Sequence, residues 1–142
     1  MDYQKLRTLI DSDPANASKT DAQVAQWCNS TSPNKKIIEK FGNAQVVAST
    51  IGAQRSATVL DNLTAAGGAL ARFAKWVETE TGVNFGDPET RNQLDALVSL
   101  NYITQTEANQ LKALAERTQT RAEEVGISGV VYEGHVYKAR AL

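Results

Sequence analysis

The chain has 142 residues, of which 42% are hydrophobic and 22% are charged. These fractions are ordinary for a globular protein, and the length is sufficient for a buried core. The 15 basic and 16 acidic side chains leave a formal net charge of -1, which disfavours a protein that neutralises nucleic-acid phosphates. The one cysteine excludes an internal disulfide, and together with the one histidine it cannot complete a zinc site.

No apolar run approaches the roughly 18 residues of a membrane span. Polar side chains also interrupt residues 1–10, so no continuous apolar segment for a secretory signal is recognised there. The sequence therefore predicts a soluble protein made in the cytoplasm, without a membrane or nucleic-acid partner.

Helix-start signals occur throughout the first third of the chain. Apolar residues at helical spacing predict a helix over 3–10. Thr20 and Gln23 form a capping box that begins a second helix. Ser32 and Pro33 are placed to begin a short third helix. Its apolar residues would be Ile37, Ile38 and Phe41.

The middle of the chain predicts three more helices. Asn43 can cap a helix over 44–51, although the β-branched residues of this segment leave a strand open. Ser56 is placed to begin the next helix, and the glycine pair 67–68 separates it from a third. Trp76 lies beside the apolar stripe of that third helix and widens it.

The signals are densest in residues 87–142. Asp87, followed by proline, begins one helix, and the capping box of Thr104 and Glu107 begins the next. The connection between them is short, which predicts an antiparallel αα-hairpin at 88–116.

The end of the chain predicts a short helix, an irregular link and a final helix. Thr120 and Glu123 form a third capping box, and Gly126 closes that helix. Residues 127–132 are expected to be extended or irregular, and a final helix is expected over 134–140.

These elements predict an all-α fold, a single domain of about seven or eight short helices with little or no strand. Residues 1–32 would form an N-terminal helical arm that could be mobile. Residues 33–142 would form a helical domain whose C-terminal part, 87–142, is a series of short packed helices.

No group of reactive side chains indicates catalysis. His135 has no carboxylate at a spacing that would orient it, and Cys28 falls on an apolar helix face. None of the close pairs of acidic residues shares a helical face, and no glycine-rich phosphate-binding motif occurs. The sequence therefore predicts a protein that is not an enzyme, with no catalytic residue, cofactor or metal ligand.

Two nucleic-acid interpretations are weaker than their structural alternatives. The basic residues Lys35, Lys36 and Lys40 have few aromatic neighbours, which favours a solvated helix face. A helix-turn-helix with 105–116 as the recognition helix would direct two acidic side chains towards phosphates.

Aromatic side chains are the remaining candidates for partner contacts, because they dominate protein-protein hot spots. Trp27 and Trp76 are expected in the core, since the chain has few aromatic residues. The residues flanking and following the irregular link are better candidates. The predicted partner-contact residues are Tyr132, His135, Tyr137, Lys138 and Arg140.

Two separated segments resemble a family of small helical proteins encoded by tailed bacteriophages. The first is TDAQVAQWCN, which is similar to a "TD.EVA..LN" pattern. The second runs from VNFGDPETR to the C-terminus and is similar to "DP.T...LD.L...G.IT..EA..LKALAE...SRAEELG" followed by "G.V...AR". The match is good over 83–142 and thin over 30–68. Asn101 replaces a common glycine and Thr120 a common serine, and neither change removes a helix cap.

The resemblance implies a phage accessory or virion protein, encoded among structural and tail genes, and it brings no catalytic residues. The expected function is a structural component of the phage particle, associated with the tail or tail fibre and made in the host cytoplasm. Its partners would be other phage structural proteins, and self-association is left open. The alternative is a cytoplasmic phage factor outside the virion, such as a tail-fibre assembly chaperone or a host-directed adaptor.

Overall fold

The computed structural model describes residues 1–142 and is all-α, with nine α-helices. In chain order the helices are α1 (Tyr3–Asp11), α2 (Asp21–Asn29), α3 (Ala44–Ile51), α4 (Ala53–Ala66), α5 (Gly68–Val77), α6 (Pro88–Ser99), α7 (Gln105–Ala113), α8 (Arg121–Glu124) and α9 (Glu133–Arg140). The predicted fold class is confirmed, and the number of helices slightly exceeds the expectation.

The remaining regular structure is short. A 3₁₀ turn, Pro14–Ser18, follows α1. The strands have two residues each: β1 (Lys36–Ile37), β2 (Phe41–Gly42), β3 (Val83–Asn84) and β4 (Glu116–Arg117). Strands β2 and β3 are antiparallel, with Phe41 opposite Asn84 and Gly42 opposite Val83.

The chain forms two compact units. The terminal unit consists of Met1–Lys36 and Thr118–Leu142, and the central unit consists of Ile37–Arg117. The sequence suggested a different division, with an arm over 1–32 and a domain over 33–142. In the structure the N-terminal helices share a core with the C-terminal helix, which periodicity alone does not reveal.

The core of the terminal unit joins both ends of the chain. Helices α1, α2 and α9 each contribute a buried apolar face, and the segment before α9 adds Ile127 and Val131. Fully buried side chains from the three helices are Leu6, Val24, Cys28, Val136 and Ala139. The expected core position of Cys28 is therefore confirmed.

The core of the central unit is formed by helices α3 to α7 around Phe85, which is 1% exposed. Glycines allow the backbone to approach closely beside this ring. A Cβ at Gly82 would lie 1.9 Å from the carbonyl oxygen of Gly42, and Gly82 has a φ of 76°. Only glycine fits this turn, because the left-handed backbone and the close contact both exclude a side chain.

The predicted αα-hairpin is present as α6 and α7. Arg91, in the first turn of α6, donates from Nη1 to the carbonyl oxygen of Lys112 at 3.1 Å and from Nη2 to Glu116 Oε1 at 2.6 Å. Lys112 lies near the end of α7, so the start of one helix lies beside the end of the other. The two helices are therefore antiparallel, as predicted.

All three predicted capping boxes are confirmed. The threonine hydroxyls of Thr20, Thr104 and Thr120 each accept the backbone N–H three residues later. In return, the side chain of that third residue accepts the N–H of the threonine. These capping boxes can be recognised in the sequence because each one is complete within four residues.

The predicted third helix is wrong. Residues 33–41 contain no helix, and Ile37 and Phe41 are exposed. The backbone of this segment bonds to other segments instead: Ile38 donates to the Ala115 carbonyl at 2.8 Å, and Lys40 accepts from Phe85 N–H at 2.8 Å. These long-range hydrogen bonds replace the helical ones and could not be read from the local pattern.

Two details of the middle region also differ from the prediction. Helix α4 begins at Ala53, directly after Gly52, so Ser56 is a buried residue of its first turn rather than its cap. Trp76 is 58% exposed and does not belong to the core. Trp27 is half-buried, with the charged groups of Lys19 and Arg121 lying 5.8 and 5.1 Å from its ring centroid.

Candidate interaction surface

The predicted partner-contact residues all lie on α9 or immediately before it. The link preceding α9 is irregular, as expected, but it is held in place by Asn29. The Asn29 side chain donates to the Val131 carbonyl at 2.7 Å and accepts the Val131 N–H at 2.8 Å. This paired contact fixes the backbone next to Tyr132, and sequence reasoning did not predict it.

Tyr132 and His135 form the start of α9. The Tyr132 N–H donates to His135 Nδ1 at 3.0 Å, so the imidazole caps the helix. Because Nδ1 accepts this hydrogen bond, the neutral ring carries its proton on Nε2. The two rings are tilted by 53° with their centroids 5.5 Å apart, and the side chain of Tyr132 remains 64% exposed.

Two further side chains extend this arrangement. The Tyr3 ring lies 6.4 Å from that of His135, tilted by 56°. Lys138 Nζ lies 5.8 Å from the Tyr3 ring centroid, at cation-π distance. We call Tyr3, Tyr132, His135 and Lys138 the aromatic cluster. In this cluster the Tyr132 ring is exposed, the Tyr3 and His135 rings are half-buried, and Lys138 carries a positive charge.

Tyr137 is 68% exposed but does not belong to the aromatic cluster. It is a residue of α9, whereas Tyr132 lies just before the helix with an extended backbone, at φ -102° and ψ 163°.

Arg140 is directed into the terminal unit. Its Nη1 donates to Asp21 Oδ1 at 2.7 Å, and its Nη2 donates to the carbonyls of Asn16 and Lys19 at 2.6 and 2.9 Å. These bonds hold the end of α9 against the start of α2. The structure therefore gives Arg140 the role of holding α9 in position.

Apolar side chains extend the surface on one side. Val130 is 55% exposed and Met1 is 46% exposed. Together with His135 they border a shallow cleft of about 330 Å³. The aromatic cluster thus adjoins a mixed apolar and polar depression of the kind that accommodates a partner side chain.

Two other titratable side chains of the terminal unit, Cys28 and Glu124, take part in its packing and hydrogen bonding. Burial raises the pKa of the Cys28 thiol to about 11, so the thiolate is scarce at neutral pH. Hydrogen bonds from Ser32 and Asn34 lower the pKa of Glu124. No group of three or more histidine, cysteine or acidic side chains is arranged to hold a metal ion.

Comparisons of the chain with protein-family models, with curated proteins and with solved structures found no significant match. No helix of the structure combines the length and the apolar character needed to cross a membrane.

Proposed function

We propose that this chain is a small structural protein of a tailed-bacteriophage particle, associated with the tail or tail fibre, and that it binds a neighbouring particle protein through the aromatic cluster. The observation that supports this proposal most directly is the exposed ring of Tyr132 on a backbone fixed by Asn29. Tyrosine is enriched among the residues that dominate binding energy at protein interfaces.

The aromatic cluster is preorganised for binding. Asn29 fixes the residue before Tyr132, and His135 caps the helix that follows it. A side chain on such a backbone loses little conformational entropy on association, and a tyrosine has only two side-chain torsions to restrict. Lys138 adds a positive charge, which favours a partner with an acidic rim.

The phage setting rests on the sequence resemblance, and the structure adds a physical reason for its separated motifs. The N-terminal motif contributes Asp21 and Asn29, and the C-terminal one contributes Arg140. Asp21 pairs with Arg140, while Asn29 holds Val131. Both motifs therefore build the support of one surface, which is consistent with a binding function for that surface.

The test is mass spectrometry of purified particles of the phage that encodes the chain, with particle-free lysate of the same infected cells measured in parallel. We expect the chain to copurify with intact particles at a fixed ratio to known tail proteins. Its presence only in the particle-free lysate would contradict the proposal and would favour a cytoplasmic assembly factor.

A further inference from the structure

A cleft in the central unit lies between α5 and α6 and has a volume of about 280 Å³. Phe73 and Val83 form its buried floor, and the exposed indole of Trp76 forms one wall. This position explains why Trp76 departs from the predicted core: its indole borders the cleft instead of filling the interior.

Four polar side chains surround the cleft. Arg72 and Glu89 are exposed, while Thr90 and Gln93 are half-buried. None of the four side chains forms a hydrogen bond or an ion pair within the protein. Other charged side chains of this unit do form ion pairs, as Arg55 does with Glu107 and Arg91 with Glu116.

Helical periodicity brings these groups together. Trp76 follows Phe73 by three residues and Arg72 by four, so the three side chains share one face of α5. Glu89 and Gln93 are four residues apart on α6. The four polar side chains therefore line the same cleft because one helix supplies Arg72 and the other supplies the remaining three.

We propose that this cleft binds a single neutral sugar ring, stacked on Trp76 and hydrogen-bonded by Thr90 and Gln93. A pyranose has one largely apolar C–H face and a periphery of hydroxyl groups. An exposed indole matches the apolar face, and amide and hydroxyl side chains match the periphery because each can donate and accept.

The charges around the cleft and its volume both favour a small neutral ligand such as a sugar ring. One arginine and one glutamate leave the edge of the cleft without net charge, which disfavours an anion such as a phosphate. The volume lies just below the range of about 300–1,000 Å³ that is usual for drug-sized ligands, and so suits a compact molecule. A docked peptide would need a longer groove. The proposal is independent of the aromatic cluster, whose residues all belong to the terminal unit.

The test is a titration of the full chain with N-acetylglucosamine and the methyl glycosides of glucose, galactose, mannose and rhamnose at millimolar concentrations, followed by ¹H–¹⁵N NMR. The chain has two tryptophans, so the indole N–H of Trp27 is an internal control for that of Trp76. We expect at least one sugar to shift the Trp76 and Gln93 side-chain signals saturably and to leave Trp27 unchanged.

Two variants and one control locate the binding. We expect Trp76→Ala to weaken the affinity at least about tenfold and Gln93→Ala to weaken it about threefold to tenfold. Lys75→Ala removes an exposed side chain next to Trp76 that does not line the cleft, and it should leave the affinity unchanged. Gln93→Ala keeps the test valid if the tryptophan variant folds poorly.

Two outcomes would overturn the proposal. In the first, no sugar shifts the Trp76 and Gln93 signals; if a short peptide such as Gly-Trp-Gly then binds saturably at Trp76, the cleft belongs to a protein partner. In the second, a sugar binds but both cleft variants retain full affinity.

Discussion

Arg140 and Asp21 form an ion pair at 2.7 Å between Nη1 and Oδ1, although 118 residues separate them in the chain. The same guanidinium also bonds two carbonyls that precede α2. Because both side chains are only about a quarter exposed, at 28% and 25%, solvent screens the pair weakly. This contact ties the last helix to the second.

Replacement of Arg140 by alanine should therefore destabilise the terminal unit. It would leave the Asp21 carboxylate and the carbonyls of Asn16 and Lys19 without this donor, at a cost of about 2–4 kcal/mol. Urea unfolding followed by Trp27 fluorescence in a Trp76→Phe background would measure this loss.

The control for Arg140→Ala is Lys138→Ala on the same helix. Lys138 is exposed and contacts only the Tyr3 ring, so we expect a change within about 0.5 kcal/mol. Equal losses from the two variants would refute the positioning role of Arg140.

Glu107 predicts a pH dependence of the central unit. Arg55 donates from Nε and Nη2 to both of its carboxylate oxygens, at 2.7 and 3.0 Å, and lowers its pKa to about 2 from 4.5. The folded pKa lies below the unfolded one, so this stabilisation is complete above pH 4.5 and disappears as the pH falls towards 2. Arg55 is 39% exposed, and allowing for screening we expect a loss of about 1–2 kcal/mol.

The measurement is urea unfolding from pH 7 to 2, followed by Trp76 fluorescence in a Trp27→Phe background. Glu107→Gln should be less stable at neutral pH and should lose less stability on acidification than the parent. Asp61→Asn changes an exposed acid on α4 and should preserve the parental pH dependence. A Glu107→Gln profile parallel to the parental one would show that the Arg55 pair contributes nothing.

Gly82 predicts a large effect of adding one methyl group. Alanine there would place its Cβ 1.9 Å from the Gly42 carbonyl oxygen and would hold φ at 76°, for a cost of about 2–4 kcal/mol. Gly134→Ala is the matched change, because nothing lies within 4 Å of its Cβ position and α9 already includes it. Calorimetry should show a lower Tm for Gly82→Ala and an equal or slightly higher Tm for Gly134→Ala. Similar Tm values for the two variants would contradict the close approach.

Cys28 should be unreactive in the folded protein, since its side chain is buried and its thiol pKa is raised to about 11. We expect N-ethylmaleimide at neutral pH to modify it only after denaturation. A cysteine introduced at exposed Thr58 in a Cys28→Ala background should react promptly, and this provides the control. Prompt labelling of native Cys28 would show that the terminal core opens readily.

Local signals predicted much of the helical structure. The capping boxes and the hairpin of α6 and α7 are complete within short segments, so their residues can be recognised without knowledge of the fold. Asp87 and Gly126 also act at the helix ends where they were expected: the Asp87 side chain accepts the Glu89 N–H, and Gly126 follows α8.

Long-range contacts account for what the sequence did not reveal. Nothing near Asn29 indicates that its side chain would hold Val131, and nothing near Arg140 indicates Asp21 as its partner. Trp76 fitted a core stripe by spacing, but its exposure depends on how α5 packs against α6. The final helix expected over 134–140 is present as α9, which begins one residue earlier, but the sequence could not distinguish the exposed Tyr132 from the internally bonded Arg140.

Photo-crosslinking within assembled particles shows directly whether the aromatic cluster contacts another particle protein. The photoreactive residue p-benzoylphenylalanine would replace Tyr132, and in a control it would replace Leu100, an exposed apolar residue of the central unit. After irradiation of purified particles, we predict a crosslink from position 132 to one tail or tail-fibre protein and none from position 100. Particles that contain the modified chain but give no crosslink at position 132 would show that the aromatic cluster does not contact a particle protein.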